Sequence, residues 1–223
     1  RGRDPFPLEL HPRILSPQQR LGLRQPQERH VGSEAAAQQH RVHLVDGTTL
    51  DYDLLIVATG ARLVPEETEG MLGEGWMETV FTFYTPEGSA ALADALEAFD
   101  GGRLVVNFVE LPIKCPVAPL EFAFLADWYF TERGIRDRVE IVFATPLDGA
   151  FTKPVSSATL GGLLEEKDIE LVTEFNTGEV DGAGGRLVSY DEREVPFDLL
   201  VTIPVHSGAE YVGRSEGLGD ELD

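Results

Sequence analysis

The chain has 223 residues, 42% of them hydrophobic, enough for one large domain or two small ones. Its 39 acidic residues against 18 Lys and Arg give a formal net charge of −21, which argues against nucleic acid as a partner and against simple electrostatic attachment to anionic lipid. A single cysteine excludes an internal disulfide framework, and the five histidines show no zinc-ligand spacing, so no metal site is expected.

No apolar run is long enough to span a bilayer, and the first ten residues lack the apolar core of a signal peptide. A reducing, cytoplasmic compartment is the expectation.

Residues 1–40 are rich in Pro, Gln and Arg. Pro5, Pro7, Pro12 and Pro17 argue against a regular element at the start. Residues 34–39 lead into a hairpin as a short strand or helix. Residues 41–60, RVHLVDGTTLDYDLLIVATG, read as two short strands around an Asp46-Gly47 turn, then a strand at 54–58. The run LLIVA does not alternate, so that strand is expected to be buried on both faces.

The same pattern recurs at residues 186–205, RLVSYDEREVPFDLLVTIPV, at an offset of 186 − 41 = 145 residues without a gap. Arg41/Arg186, Asp46/Asp191, Asp53/Asp198, Leu54/Leu199 and Leu55/Leu200 are identical, and Tyr52 matches Phe197. Two lobes built on one plan are expected.

After Gly60 a polar loop runs to residue 75. Thr85-Pro86 then opens a helix that buries Leu92, Leu96 and Phe99 and ends at Gly101-Gly102. A buried strand at 103–109 follows, then the segment LPIKCPVAP, a helix at 119–133 stopped by Gly134, and a strand at 139–144. A helix at 156–167, with Leu160, Leu163 and Leu164 inward, precedes a strand at 169–175 and the second hairpin. Gly182-Ala183-Gly184-Gly185 precedes a hairpin strand, so it reads as a tight turn. Strands alternating with helices predict an α/β fold, a parallel sheet with helices on both faces and an inserted hairpin.

In such folds the first strand leads into a glycine-rich, phosphate-cradling turn at a helix N-terminus. Here that turn, residues 109–119, reads VELPIKCPVAP, with three prolines, a lysine and no glycine. The strand that would carry a ribose-binding carboxylate ends in Phe143-Ala144-Thr145-Pro146. Both features point away from a nicotinamide nucleotide. The turn offers Cys115 instead, at a helix N-terminus that favours a thiolate, with Lys114 beside it. Glu121, in the first turns of that helix, is placed to relay protons. The alternative is a buried structural cysteine. The helix itself, LEFAFLADWYFTER, is apolar on nearly all faces, as a core helix is; the alternative is that its aromatics line an apolar pocket.

Tyr52-Asp53-Leu54-Leu55-Ile56-Val57-Ala58-Thr59-Gly60-Ala61 resembles the YDxLxxATG segment of two-dinucleotide-binding-domain flavoproteins. Cys115 to Glu121, CPVAPLE, followed by FAFLAD, resembles the cysteine–proline–glutamate segment of sulfide:quinone oxidoreductases and flavocytochrome c sulfide dehydrogenases. The resemblance covers residues 41–205.

It implies an internal portion of an FAD-dependent oxidoreductase, with sulfide and a quinone as small-molecule substrates. Cys115 and Glu121 would be catalytic, and Thr59, Gly60 and Ala61 would contact FAD. It divides the chain into a partial FAD lobe at 1–80 lacking its glycine-rich front, a second NAD-like lobe at 81–205, and a return segment at 206–223. Peripheral membrane contact through parts outside these residues and a homo-oligomer stay open. So do two alternatives: a relative of type II NADH:quinone oxidoreductases, and a non-catalytic or excised domain of such an enzyme. Two departures stand out. No cysteine lies between Gly60 and Phe81, and the loop after Pro146 reads Asp148-Gly149-Ala150 where some members have a histidine.

Overall fold

The computed structural model describes residues 34–36, 39–44 and 46–218. The expectation of an irregular proline-rich start lies outside these residues.

Three short strands come first: β1 (Glu34–Ala36), β2 (Arg41–His43) and β3 (Thr49–Asp51) form an antiparallel meander with β2 in the middle. The β2–β3 turn closes at Gly47, whose φ of 85° requires glycine. β4 (Ala61–Leu63), a 3-10 turn at Pro65–Glu67 and β5 (Val80–Phe81) lead to α1 (Pro86–Ala98). The Thr85 hydroxyl accepts the Gly88 N–H and Pro86 takes the first helical turn, so the helix starts where its cap dictates.

The core unit follows as β6 (Gly102–Phe108), α2 (Ala118–Glu132), β7 (Val139–Ala144), α3 (Pro154–Glu166) and β8 (Ile169–Val172). A second meander, β9 (Thr177–Asp181), β10 (Arg186–Ser189) and β11 (Glu194–Pro196), precedes β12 (Leu199–Ile203). β13 (His206–Gly208) pairs back onto β4, and a short helix, α4 (Glu210–Arg214), ends the described chain.

Five parallel strands form the central sheet in the order β5-β12-β6-β7-β8. One face carries Leu104, Val106, Phe108, Ile141, Phe143, Val201 and Ile203, packed against Leu92 of α1, Leu120 and Phe130 of α2 and Leu164 of α3. The other face carries Val105, Val142 and Leu200, packed against Val180, Leu187 and Val195 of the second meander and against Met71. The expectation of helices on both faces is therefore met on one face only. The inserted meander covers the other, because its alternating residues give it an apolar side of its own.

Within α2, Asp127 is buried and bonded to both Arg136 and Lys167 at 2.7 Å, tying the helix to its neighbours. Burial pushes its carboxyl up, but the two cations outweigh that and hold it below the usual carboxylate range. Two expectations about helix faces need correction. Leu163 of α3 is exposed, and Leu125 and Trp128 of α2 are 55% and 51% exposed, because one face of each helix looks to solvent.

The repeat holds residue for residue. Glu34 pairs His43 as Glu179 pairs Val188, Ala36 pairs Arg41 as Asp181 pairs Arg186, and Arg41 pairs Asp51 as Arg186 pairs Pro196, all at the 145-residue offset. The strands that follow differ. Leu199–Ile203 is fully buried between β5 and β6, whereas residues 54–58 form no strand, with Leu54 80% and Ile56 79% exposed. The expected buried strand at 54–58 is thus overturned. A parallel strand needs a partner on each edge and a layer on each face, and none stands beside this segment among the described residues.

This contrast predicts that Val201→Asp, which buries an unpaired carboxylate, costs more than about 3 kcal/mol, while Ile56→Asp stays within about 0.5 kcal/mol. Urea unfolding midpoints of the two variants check it.

Candidate functional site

Open parallel sheets present their chemistry beyond the C-terminal ends of the strands. Three adjacent strands, β5, β12 and β6, here deliver Tyr84, His206 and Cys115 to that edge.

The Cys115 loop leaves β6 with Val109, whose N–H donates to Ile203 O, and passes a cis Leu111–Pro112 bond. Ile113 is buried, while Lys114, Cys115, Pro116 and Val117 are exposed. Cys115 is a free, exposed thiol in the left-handed region, with φ 52°. It stands three residues ahead of α2, and its carbonyl accepts the Ala118 N–H at 3.0 Å. The thiol therefore lies outside the core, at the mouth of the helix. Glu121 is exposed on the first turn of α2, and its N–H donates to Val117 O at 2.9 Å.

Tyr84 and His206 were not found from sequence. Tyr84 follows β5 and sits just before the α1 cap. Its hydroxyl donates to Lys114 O at 2.5 Å and lies 3.1 Å from Cys115 O. His206 packs edge-on against the Tyr84 ring, with centroids 5.3 Å apart. Its Nδ1 lies 3.0 Å from Pro204 O, so Nδ1 carries the proton and donates, and Nε2 keeps a lone pair. Nε2 is buried without a protein hydrogen-bond partner.

Burial, then the neighbouring Cys115 charge, push the Tyr84 phenol up to about 12. Burial lowers the His206 imidazole, the Pro204 carbonyl opposes that, and the Lys114 charge lowers it further.

Thr59, Gly60 and Ala61 form a second cluster. Thr59 and Gly60 are exposed, the Thr59 hydroxyl lies 2.9 Å from the Tyr211 hydroxyl, and Ala61 pairs Gly208. Gly60 has φ 73°, and a Cβ added there would meet nothing within 4 Å. On the β4–β13 ladder Gly208 is two residues from His206, roughly 7 Å, so the ladder links this cluster to the Cys115 cluster.

The His206 shift carries a sign. Its folded-state value is lowered, so the folded chain binds that proton less readily than the unfolded chain. The stability this confers is fully present above the unfolded value of about 6.5 and is lost as pH falls through that value toward the folded one. Urea midpoints measured from about pH 8 to about pH 5 should fall more steeply in the wild type than in His206→Gln; parallel curves would refute the assignment.

No family model matches the chain. It is 26% identical over 176 residues to the mitochondrial sulfide:quinone oxidoreductase of Mus musculus, covering 76% of this chain and 39% of the relative. It is 24% identical over 179 residues to the mitochondrial sulfide:quinone oxidoreductase of Dictyostelium discoideum, covering 78% and 39%. The chain thus spans about two fifths of the length of these relatives. Among solved structures, the sulfide:quinone oxidoreductase of Aquifex aeolicus superposes with a TM-score of 0.69 at 22% identity, over 86% of this chain and 45% of that one. The chain is thus similar in sequence to part of these sulfide:quinone oxidoreductases, and it shares the α/β fold of the Aquifex aeolicus structure.

Proposed function

We propose that this chain is the central portion of an FAD-dependent oxidoreductase that oxidises sulfide and passes electrons to a quinone. The observation that carries the reading is Cys115. It is an exposed thiol on a glycine-free turn, at the sheet edge where this fold places its ligands, in a chain similar to sulfide:quinone oxidoreductases.

In this reading sulfide sulfur is joined to the Cys115 thiolate as a persulfide, with release of one proton and of the two electrons that FAD, when bound, would accept; the same two-electron oxidation would alternatively pair Cys115 with a cysteine outside residues 1–223. The α2 N-terminus and Lys114 favour negative charge at that position. Glu121, exposed on the same helix end, carries protons to and from solvent. His206 stays neutral and keeps its Nε2 lone pair at the site. Thr59, Gly60 and Ala61 form the edge that contacts FAD, which when bound supplies the two-electron acceptor. The division into a partial FAD lobe, a second lobe at 81–205 and a return segment is part of the same proposal. No helix among the described residues is long and apolar enough to cross a membrane.

In the intact enzyme, Cys115→Ser should abolish sulfide-dependent flavin reduction and leave FAD content unchanged, because no contact at Thr59–Ala61 is removed. Stopped-flow absorbance at the flavin band checks this. Rapid flavin bleaching by NADH alone would instead favour the NADH:quinone oxidoreductase reading. The 223-residue chain by itself should bind FAD weakly, since Thr59–Ala61 is a single edge without a glycine-rich helix N-terminus. Stoichiometric flavin in the purified chain would overturn that.

A further inference from the structure

The mechanism above leaves Tyr84 without a role. It is nevertheless the side chain that ties the cysteine turn to the rest of the fold. Its phenol reaches two consecutive carbonyls, Lys114 O at 2.5 Å and Cys115 O at 3.1 Å, across 30 and 31 residues of sequence.

The turn needs such a tie. Cys115 is a non-glycine residue at φ 52°, a conformation that costs roughly 1 kcal/mol and persists only where the surroundings impose it. Packing does not impose it here, because residues 114–117 are all exposed. The hydrogen bonds at the two carbonyls do.

The post itself is rigid. Phe83, next to Tyr84, stacks on Phe122 of α2 with centroids 5.1 Å apart. The Ser89 hydroxyl donates to Phe83 O at 2.8 Å, and His206 closes on the edge of the Tyr84 ring.

We propose that Tyr84 is a positioning residue for the Cys115 thiol: its phenol bridges the Lys114 and Cys115 carbonyls and so fixes the left-handed turn that presents the sulfur ahead of α2. The O–H survives as a donor across the physiological range, since burial and the Cys115 charge push its ionisation up to about 12. The inference rests on Cys115 being the reactive group of the proposed function, but it needs neither flavin nor sulfide to be tested.

The test is the rate of Cys115 alkylation by iodoacetamide in the 223-residue chain, read by mass spectrometry, native against urea-unfolded. In the wild type the native rate should exceed the unfolded rate. Tyr84→Phe keeps the ring against Phe83 and His206 and removes only the O–H. It should melt within a few degrees of wild type and lose the excess rate, a drop of roughly fivefold for one net hydrogen bond. Equal native rates in wild type and Tyr84→Phe would overturn the role of Tyr84 while leaving Cys115 in place. No native labelling of the wild type would sink the Cys115 reading as well.

Discussion

The double-sided burial of β12 is the constraint on which the rest of the structure depends. Its five residues are all buried, with β5 on one edge and β6 on the other. Val201 and Ile203 face the helices, and Leu200 faces the second meander. One strand therefore joins both cores. Its register is set at the entry by Asp198, whose carboxylate accepts the Arg103 N–H at 2.7 Å at the start of β6. Gly102 makes this approach possible, since a Cβ there would meet Asp198 Oδ2 at 2.5 Å. At the exit, the buried Asn107 amide donates to Ala144 O and Thr177 Oγ1, and its oxygen accepts from Thr202. Every polar group in that knot has a partner, so it fixes the C-terminal edge rather than weakening it.

The sequence repeat shows how far local pattern reaches. The offset between the two meanders was visible in five shared residues, and every observed pair of the first meander recurs in the second. Turn chemistry and alternation act over a few residues, so they are legible. The fate of the following strand is not local. LLIVA and LLVTI carry the same message, a preference for the interior of a parallel sheet. Only the second finds strands on both sides. Asp198 has Gly102 and Arg103 to receive it, whereas no strand stands beside its counterpart Asp53 among the described residues. Pattern states what a segment wants, and the fold decides whether it is supplied.

The candidate site divides along the same line. Cys115 could be singled out because the anomaly is contiguous: a turn that should hold glycines holds prolines and a thiol. Tyr84 and His206 lie 31 and 91 residues away in sequence, 115 − 84 and 206 − 115. Tyr84 meets the Cys115 turn and His206 meets Tyr84 because β12 inserts between β5 and β6, an adjacency set by crossover connections and not by spacing. A faint signal existed. Each follows a buried strand by three residues, Phe81 to Tyr84 and Ile203 to His206, and residues just past such strands are where this architecture keeps its chemistry.

The hydrogen bonds around Cys115 also explain why thiol and phosphate are alternatives at this helix. A phosphate cradle depends on free backbone N–H groups in the first turn. In α2 the Ala118 N–H is spent on Cys115 O, Pro119 has none, and the Glu121 N–H closes the first helical bond to Val117 O. Fewer first-turn donors are thus left to cradle a phosphate, while the positive end of the helix still faces the Cys115 position. That closure is what leaves Cys115 outside the helix with its sulfur exposed. The Tyr84 phenol adds a side-chain donor to the same carbonyl, which a cradle turned toward a phosphate would not need. A turn built from proline and cysteine instead of glycine therefore has few donors for a phosphate and carries an exposed thiol ahead of the helix.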